Sequence, residues 1–131
     1  MNQNILKYLK FETISRAGSG DKGLYIIIEG KVEITLNDGN QEYKVATLHE
    51  NDFFGEGSLF NNTNRTANAI AIEDTKVFKI TDKGKLEDFL VKNPHFAMKM
   101  ISVLSKRLIA TDSLLMGKIS EIKRLKKSMN V

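Results

Sequence analysis

The stretch Phe54-Gly55-Glu56-Gly57-Ser58-Leu59-Phe60, followed after a short loop by Arg65-Thr66-Ala67, governs how the rest of the chain is read. Its first glycine allows a tight turn in which backbone N–H groups approach a bound group closely. The glutamate beside it accepts hydrogen bonds only when ionised, which suits a sugar hydroxyl and would be wasted on a phosphate. The arginine offers a planar, permanently charged fork for phosphate oxygens. This set of residue types could grip a small phosphorylated sugar. Taken singly, each has a plainer reading: Glu56 a charge at a helix start, Arg65 a surface salt-bridge partner, Thr66 a strand residue.

On the N-terminal side the pattern is that of β structure. Leu24-Tyr25-Ile26-Ile27-Ile28 is a short apolar run rich in β-branched residues; Gly30 ends it, and Lys31 to Leu36 then alternates. Asn37-Asp38-Gly39-Asn40 is a hairpin signal, since these residues tolerate positive φ. Further strands are expected at Glu42 to Leu48, Arg65 to Ile72 and Lys76 to Ile80, with Gly18, Gly20 and Gly23 punctuating an early loop. Many short strands with frequent turns suggest a sandwich or a small barrel.

After Thr81 the period changes. Lys85 to Val91 fits a short helix, and Pro94 stands where a second could begin. From His95 to about Ser128 there is no proline, and Gly117 is the only glycine. Ile101, Leu104, Leu108, Thr111 and Leu115 recur at steps of three and four, and Ile119, Ile122, Leu125 and Met129 extend the stripe. So long an amphipathic helix outruns the domain it belongs to, and a homodimer through it is expected. The alternative is a helix folded back on the strands.

The 131 residues, 41% hydrophobic and 27% charged, read as a single globular domain. There is no cysteine, which excludes disulfides, iron–sulfur clusters and thiolate zinc sites. His49 and His95 lie far apart without ligand spacing, so no metal centre is expected. No apolar run approaches the roughly 18 residues that span a bilayer, and no signal-peptide pattern is present, so a cytoplasmic location away from membranes is expected. The net charge of +4 owes much to Lys118, Lys123, Arg124, Lys126 and Lys127. These read as a solvated helix face with cations near its C-terminal end, where the macrodipole favours them, rather than as a DNA-binding patch.

The order of these segments resembles the cyclic-nucleotide-binding domain of catabolite activator proteins, kinase regulatory subunits and nucleotide-gated channels. The likeness runs from about Lys7 to Leu115. Gly18-Ser19-Gly20-Asp21-Lys22-Gly23-Leu24-Tyr25-Ile26-Ile27 is similar to that family's first glycine loop and following strand. Gly30-Lys31-Val32 resembles its hairpin corner, and Leu48 to Glu56 resembles its L-x-x-G-D-x-F-G-E signature, with Asn51 at the usual glycine. Asparagine tolerates the left-handed conformation expected there. The resemblance implies a mainly β chain with flanking α-helices: a jelly-roll-type β-roll (double-stranded β-helix) over about residues 4–80, then helices over about 84–128 ending in a long dimerisation helix. The whole of residues 1–131 would form one cyclic-nucleotide-binding domain.

Carried over residue by residue, the resemblance gives Glu56 the ribose 2′-OH. Gly55 and the backbone of Gly57 and Ser58 would face sugar and phosphate, Arg65 would pair with the cyclic phosphate, and Thr66 would donate its hydroxyl or backbone N–H nearby, with Ala67 beside it. Ile34, Val45 and Ala46 would wall the pocket against purine and ribose. Gly57 stands where the family has an apolar residue, which should loosen the short helix by about 0.5–1 kcal/mol. Thr111 falls where the activator's threonine reaches the adenine amino group, and Asp112 replaces the serine that contacts the base from the partner subunit. Aspartate accepts equally from an adenine amino group or from a guanine edge; cAMP is favoured and cGMP remains open. The chain stops about twenty residues after Thr111, before any helix-turn-helix domain. The expected function is therefore a regulatory sensor, not an enzyme, needing no cofactor. It would signal nucleotide occupancy through its C-terminal helix to a separate effector protein, with no direct DNA contact. The alternative is a vestigial pocket in a ligand-independent interaction or dimerisation module.

Overall fold

The apolar run beginning at Leu24 becomes strand β3 (Leu24–Glu29), and the alternating run after Gly30 becomes β4 (Val32–Asp38) in the computed structural model, which describes residues 4–129. The Asp-Gly turn then delivers β5 (Gln41–Leu48). Short strands β1 (Ile5–Tyr8), β2 (Thr13–Ser15) and β6 (Phe53–Phe54) join them, with helix α1 (Glu56–Asn61) and strands β7 (Asn68–Ala71) and β8 (Thr75–Ile80) following. Arg65 to Ala67, expected at the head of a strand, instead form the loop entering β7.

Helix α2 (Lys83–Lys92) starts under an Asp82 cap, whose carboxylate accepts from Lys85 N–H at 2.8 Å. It stops at Asn93, and Pro94, which needs no hydrogen-bond acceptor for its nitrogen, opens α3 (Pro94–Met129). Contacts divide the chain into two compact units, Met1–Glu87 and Asp88–Val131.

In the first unit the strands pair antiparallel within two four-stranded sheets, ordered β1-β8-β3-β6 and β2-β7-β4-β5. One core cluster joins them: Tyr25, Ile27, Phe54 and Val77 come from the first sheet, and Ile14, Val32, Leu48, Ala69 and Ala71 from the second. Tyr25 and Ile27, like Ala69 and Ala71, stand at alternate positions and so share one face of their strand, while Leu24 and Ile26 are buried on the other face of β3. No ladder connects the two sheets, so the described strands form neither a closed barrel nor a curled sheet. This corrects the expectation of a jelly-roll-type β-roll. Strands of two to eight residues end inside their own sheet, and none runs on to pair in the other. The expectation of a mainly β chain is corrected too. The 36 residues of α3, with α1 and α2, outnumber the strand residues among those described, and the fold is mixed α and β.

Candidate ligand-binding site

Gly55 caps α1 in the left-handed region, with φ 91°. No other residue fits there. Besides the positive φ, a Cβ on Gly55 would lie 2.5 Å from both the Gly23 carbonyl oxygen and Arg65 Nη1. The glycine therefore lets the guanidinium pack directly on the backbone. Asn51, at φ 71°, takes the left-handed conformation expected of it three residues before Phe54.

Arg65 is not a surface residue. It is only 6% exposed, and protein acceptors surround its guanidinium. Nε donates to Ser15 Oγ (3.0 Å), Nη1 to the Gly55 carbonyl (3.1 Å), and Nη2 to the Gly23 carbonyl. Nη2 also lies 3.2 Å from Asp21 Oδ2. The backbone of Arg65 is fixed as well: its N–H donates to the Ser19 carbonyl (2.9 Å), and its carbonyl accepts from Gly18 N–H (2.8 Å). The loop before β3 is thereby tied to the loop before β7.

Ser15 reaches this place through a bulge. Thr13 opposes Ile70 and Ser15 opposes Ala69, so Ile14 is the extra residue in β2. Neighbouring strand residues ordinarily point to opposite faces, yet here Ile14 joins the core while Ser15 is also buried and meets Arg65.

Asp21 organises the charges. Its carboxylate accepts from the Tyr25 hydroxyl (2.6 Å) and Gly23 N–H (3.0 Å), and it lies 3.4 Å from Lys79 Nζ. Burial pushes this carboxyl up, but the two hydrogen bonds and the Arg65 and Lys79 charges outweigh it and hold the carboxyl at about 2. Burial, then the bond to Asp21, raises the Tyr25 phenol, which stays protonated and donating. The Tyr25 ring stacks on Phe54 at 4.9 Å, and the Arg65 and Lys79 cations lie over it at 5.5 and 5.2 Å. The Arg65 guanidinium is thus buried beside a carboxylate, against the Tyr25 ring and glycine backbone, with its charge met from within the protein.

A family model for the cyclic nucleotide-binding domain matches residues 5–93. The chain belongs to the cyclic nucleotide-binding domain family. It is 34% identical over 71% of its length to the cyclic AMP receptor protein of Thermus thermophilus, covering 44% of that protein. It is 31% identical over 77% of its length to a CRP-like cAMP-activated global transcriptional regulator of Mycobacterium tuberculosis, covering 45% of it. The chain thus spans about half the length of these curated relatives. Among solved structures, the Thermus thermophilus catabolite activator protein superposes with a TM-score of 0.73 at 29% identity, over 85% of this chain and 52% of that one. The cGMP-bound form of the EAL enzyme Bd1971 superposes at 0.61 and 30% identity, over 79% and 28%. The matched segment belongs to the regulatory class of domain rather than to a catalytic fold. Among the described residues, no three His, Cys, Asp or Glu side chains are placed to hold a metal.

The structure gathers only part of the residue set expected from this family. Glu56 opens α1, partly exposed; Gly57 is exposed with open space around it; Ser58 is buried. Thr66 is exposed and Ala67 half-buried, directly after Arg65. On the second sheet, Ile34 packs against the core and opposes both Ala46 and Ala69. The register passes from Ala46 to Lys44, so Val45 is the extra residue of a bulge; it and Ala46 are exposed. Thr111 and Asp112 are exposed on α3 in the second unit, and the Thr111 hydroxyl donates to the Arg107 carbonyl one turn back (2.9 Å). Sequence reading missed Ser15, Asp21, Tyr25 and Lys79. A lone acid between the glycines of the first loop was the available signal for Asp21; nothing in the pattern marks Ser15 or Lys79.

Proposed function

We propose that this chain is a cyclic-nucleotide sensor domain that binds cAMP in preference to cGMP and reports occupancy through its C-terminal helix. The observation that carries the reading is the buried Arg65 guanidinium packed on the Gly55 backbone, one residue from Glu56, in a chain of this family. In this reading Arg65 takes the cyclic phosphate and Glu56 the ribose 2′-OH. The backbone of Gly55 to Ser58, with Thr66 and Ala67, lines the sugar-phosphate. Ile34, Val45 and Ala46 flank the base, while Thr111 and Asp112 contribute to its recognition in a homodimer joined through α3. The exposed apolar residues of α3, Leu108, Leu115, Ile122 and Leu125 among them, support the dimer. Relatives named for cAMP support that nucleotide, and the forms of Bd1971 bound to cAMP and to cGMP keep the second open. An effector protein on a separate chain would receive the signal, through a difference in nucleotide affinity between two helix arrangements.

One observation favours a second reading, a ligand-independent interaction module: Arg65 already has protein acceptors around it. Calorimetry of refolded, nucleotide-free protein against cAMP and cGMP separates the two. Binding at micromolar or tighter, about −8 kcal/mol, is expected. No heat and no competition from either nucleotide would leave the interaction module.

A further inference from the structure

A guanidinium has five N–H donors, and a phosphate is held best by two parallel ones. Around Arg65 stand four protein acceptors: Ser15 Oγ, the Gly55 and Gly23 carbonyls, and the Asp21 carboxylate. Little of the fork is left for a ligand. Three of these acceptors are neutral and part of the framework. The β2 bulge fixes Ser15, and the backbone supplies the other two. Asp21 is the only anion among them, and it shares Nη2 with the Gly23 carbonyl.

Asp21 also has somewhere to go. Without Arg65 its carboxylate keeps the Tyr25 hydroxyl at 2.6 Å, the Gly23 N–H at 3.0 Å and the Lys79 ammonium at 3.4 Å. A phosphate arriving at Arg65 while Asp21 keeps its contact there would set two anions on the same guanidinium, which is repulsive, whereas Lys79 can hold the displaced carboxylate. Exchange of one anion for the other keeps every charge partnered.

Resting on the sensor reading above, we infer that Asp21 is an anionic placeholder. Its carboxylate occupies the face of Arg65 that the ligand phosphate takes, and binding proceeds by displacing it onto Tyr25 and Lys79. Asp21 thereby sets how tightly any cyclic nucleotide is held without touching the base. The competing role is that of a positioning residue, which would keep its bond to Arg65 and aim the guanidinium at the ligand.

Calorimetric titration of wild type, Asp21→Asn, Lys79→Met, the double variant of these two and Glu12→Gln with cAMP and with cGMP tests this. D21N is expected to bind both nucleotides at least about tenfold tighter with their ratio unchanged. K79M, deprived of the fallback cation, is expected to bind severalfold more weakly, an effect that vanishes in the D21N background. E12Q removes the same charge from the cleft that Glu12 and Asp21 line without touching Arg65, and should stay within about twofold of wild type. Equal or weaker binding by D21N while wild type binds overturns the placeholder and leaves the sensor reading intact; a gain in E12Q matching that of D21N overturns it equally. If D21N does not fold, K79M decides, and unchanged affinity in that variant rejects the inference. A silent wild type with a binding D21N supports it. Silence from all variants toward both nucleotides overturns the sensor reading and this inference with it.

Discussion

Arg65 and Asp21 form a charge pair enclosed by backbone, and removing Arg65 takes away its hydrogen bonds to Ser15, Gly55 and Gly23 and leaves Asp21 to Tyr25, Gly23 N–H and Lys79. For Arg65→Ala the expected loss of folding stability is about 3 kcal/mol, the lower part of the range for a broken buried pair because Asp21 retains some exposure. Urea unfolding measures it, and a loss below about 1 kcal/mol would contradict the enclosure described. Loss of nucleotide binding in that variant is therefore to be read beside Arg65→Lys, which keeps the charge but lacks the fork. The acid response of the fold follows from Asp21. Its carboxyl is held at about 2 in the folded chain against an ordinary value near 3.9 unfolded. Its contribution, on the order of 2 kcal/mol, is present above the unfolded value and is lost as pH falls from about 4 towards 2. Comparing unfolding free energies at pH 6 and pH 2.5 for wild type and D21N should show a steeper acid loss in wild type; parallel slopes would deny Asp21 this role.

Among the elements, α1 carries two glycines of opposite character. Gly57 lies inside the helix, exposed, with nothing within 4 Å of an added Cβ. Gly57→Ala should stabilise the fold by about 0.5–1 kcal/mol, since alanine removes backbone freedom from the unfolded chain without a clash. Gly55→Ala should do the reverse, costing more than about 1 kcal/mol and displacing the Arg65 guanidinium, because both the positive φ and the 2.5 Å approaches forbid a side chain. Thermal melts of the two variants should move in opposite directions. Most elements were legible from local pattern: the runs at β3 and β4, the hairpin into β5, and the helix opened by Pro94. The four-residue β1, three-residue β2 and two-residue β6 were not, because strands so short carry no period of their own and exist only by pairing with β8, β7 and β3.

At the scale of the whole molecule, α3 is 36 residues long, about 54 Å at 1.5 Å per residue. Its stripe leaves Ile101, Leu108, Leu115, Ile122 and Leu125 more than half exposed. Sedimentation of wild type should report a dimer, and Leu108→Glu combined with Leu115→Glu should report a monomer with unchanged melting of the first unit; a monomeric wild type would remove α3 as the dimer seam. The sequence by itself determined the change from period two to period three-and-four after Thr81, the turn chemistry, and a glycine–glutamate–arginine set of family type, since each depends on neighbours a few residues apart. It could not determine that the strands would end in two separate sheets instead of a roll, for that depends on which strands pair across long loops. Nor could it determine that Arg65 would be buried against Ser15, Gly23 and Asp21, residues that lie 42 to 50 positions away from it and that only the packed sheets bring within hydrogen-bond distance. Local pattern is encoded by adjacent side chains; the charge balance at Arg65 is a product of contact, and it is there that the tertiary structure decides what the site can hold.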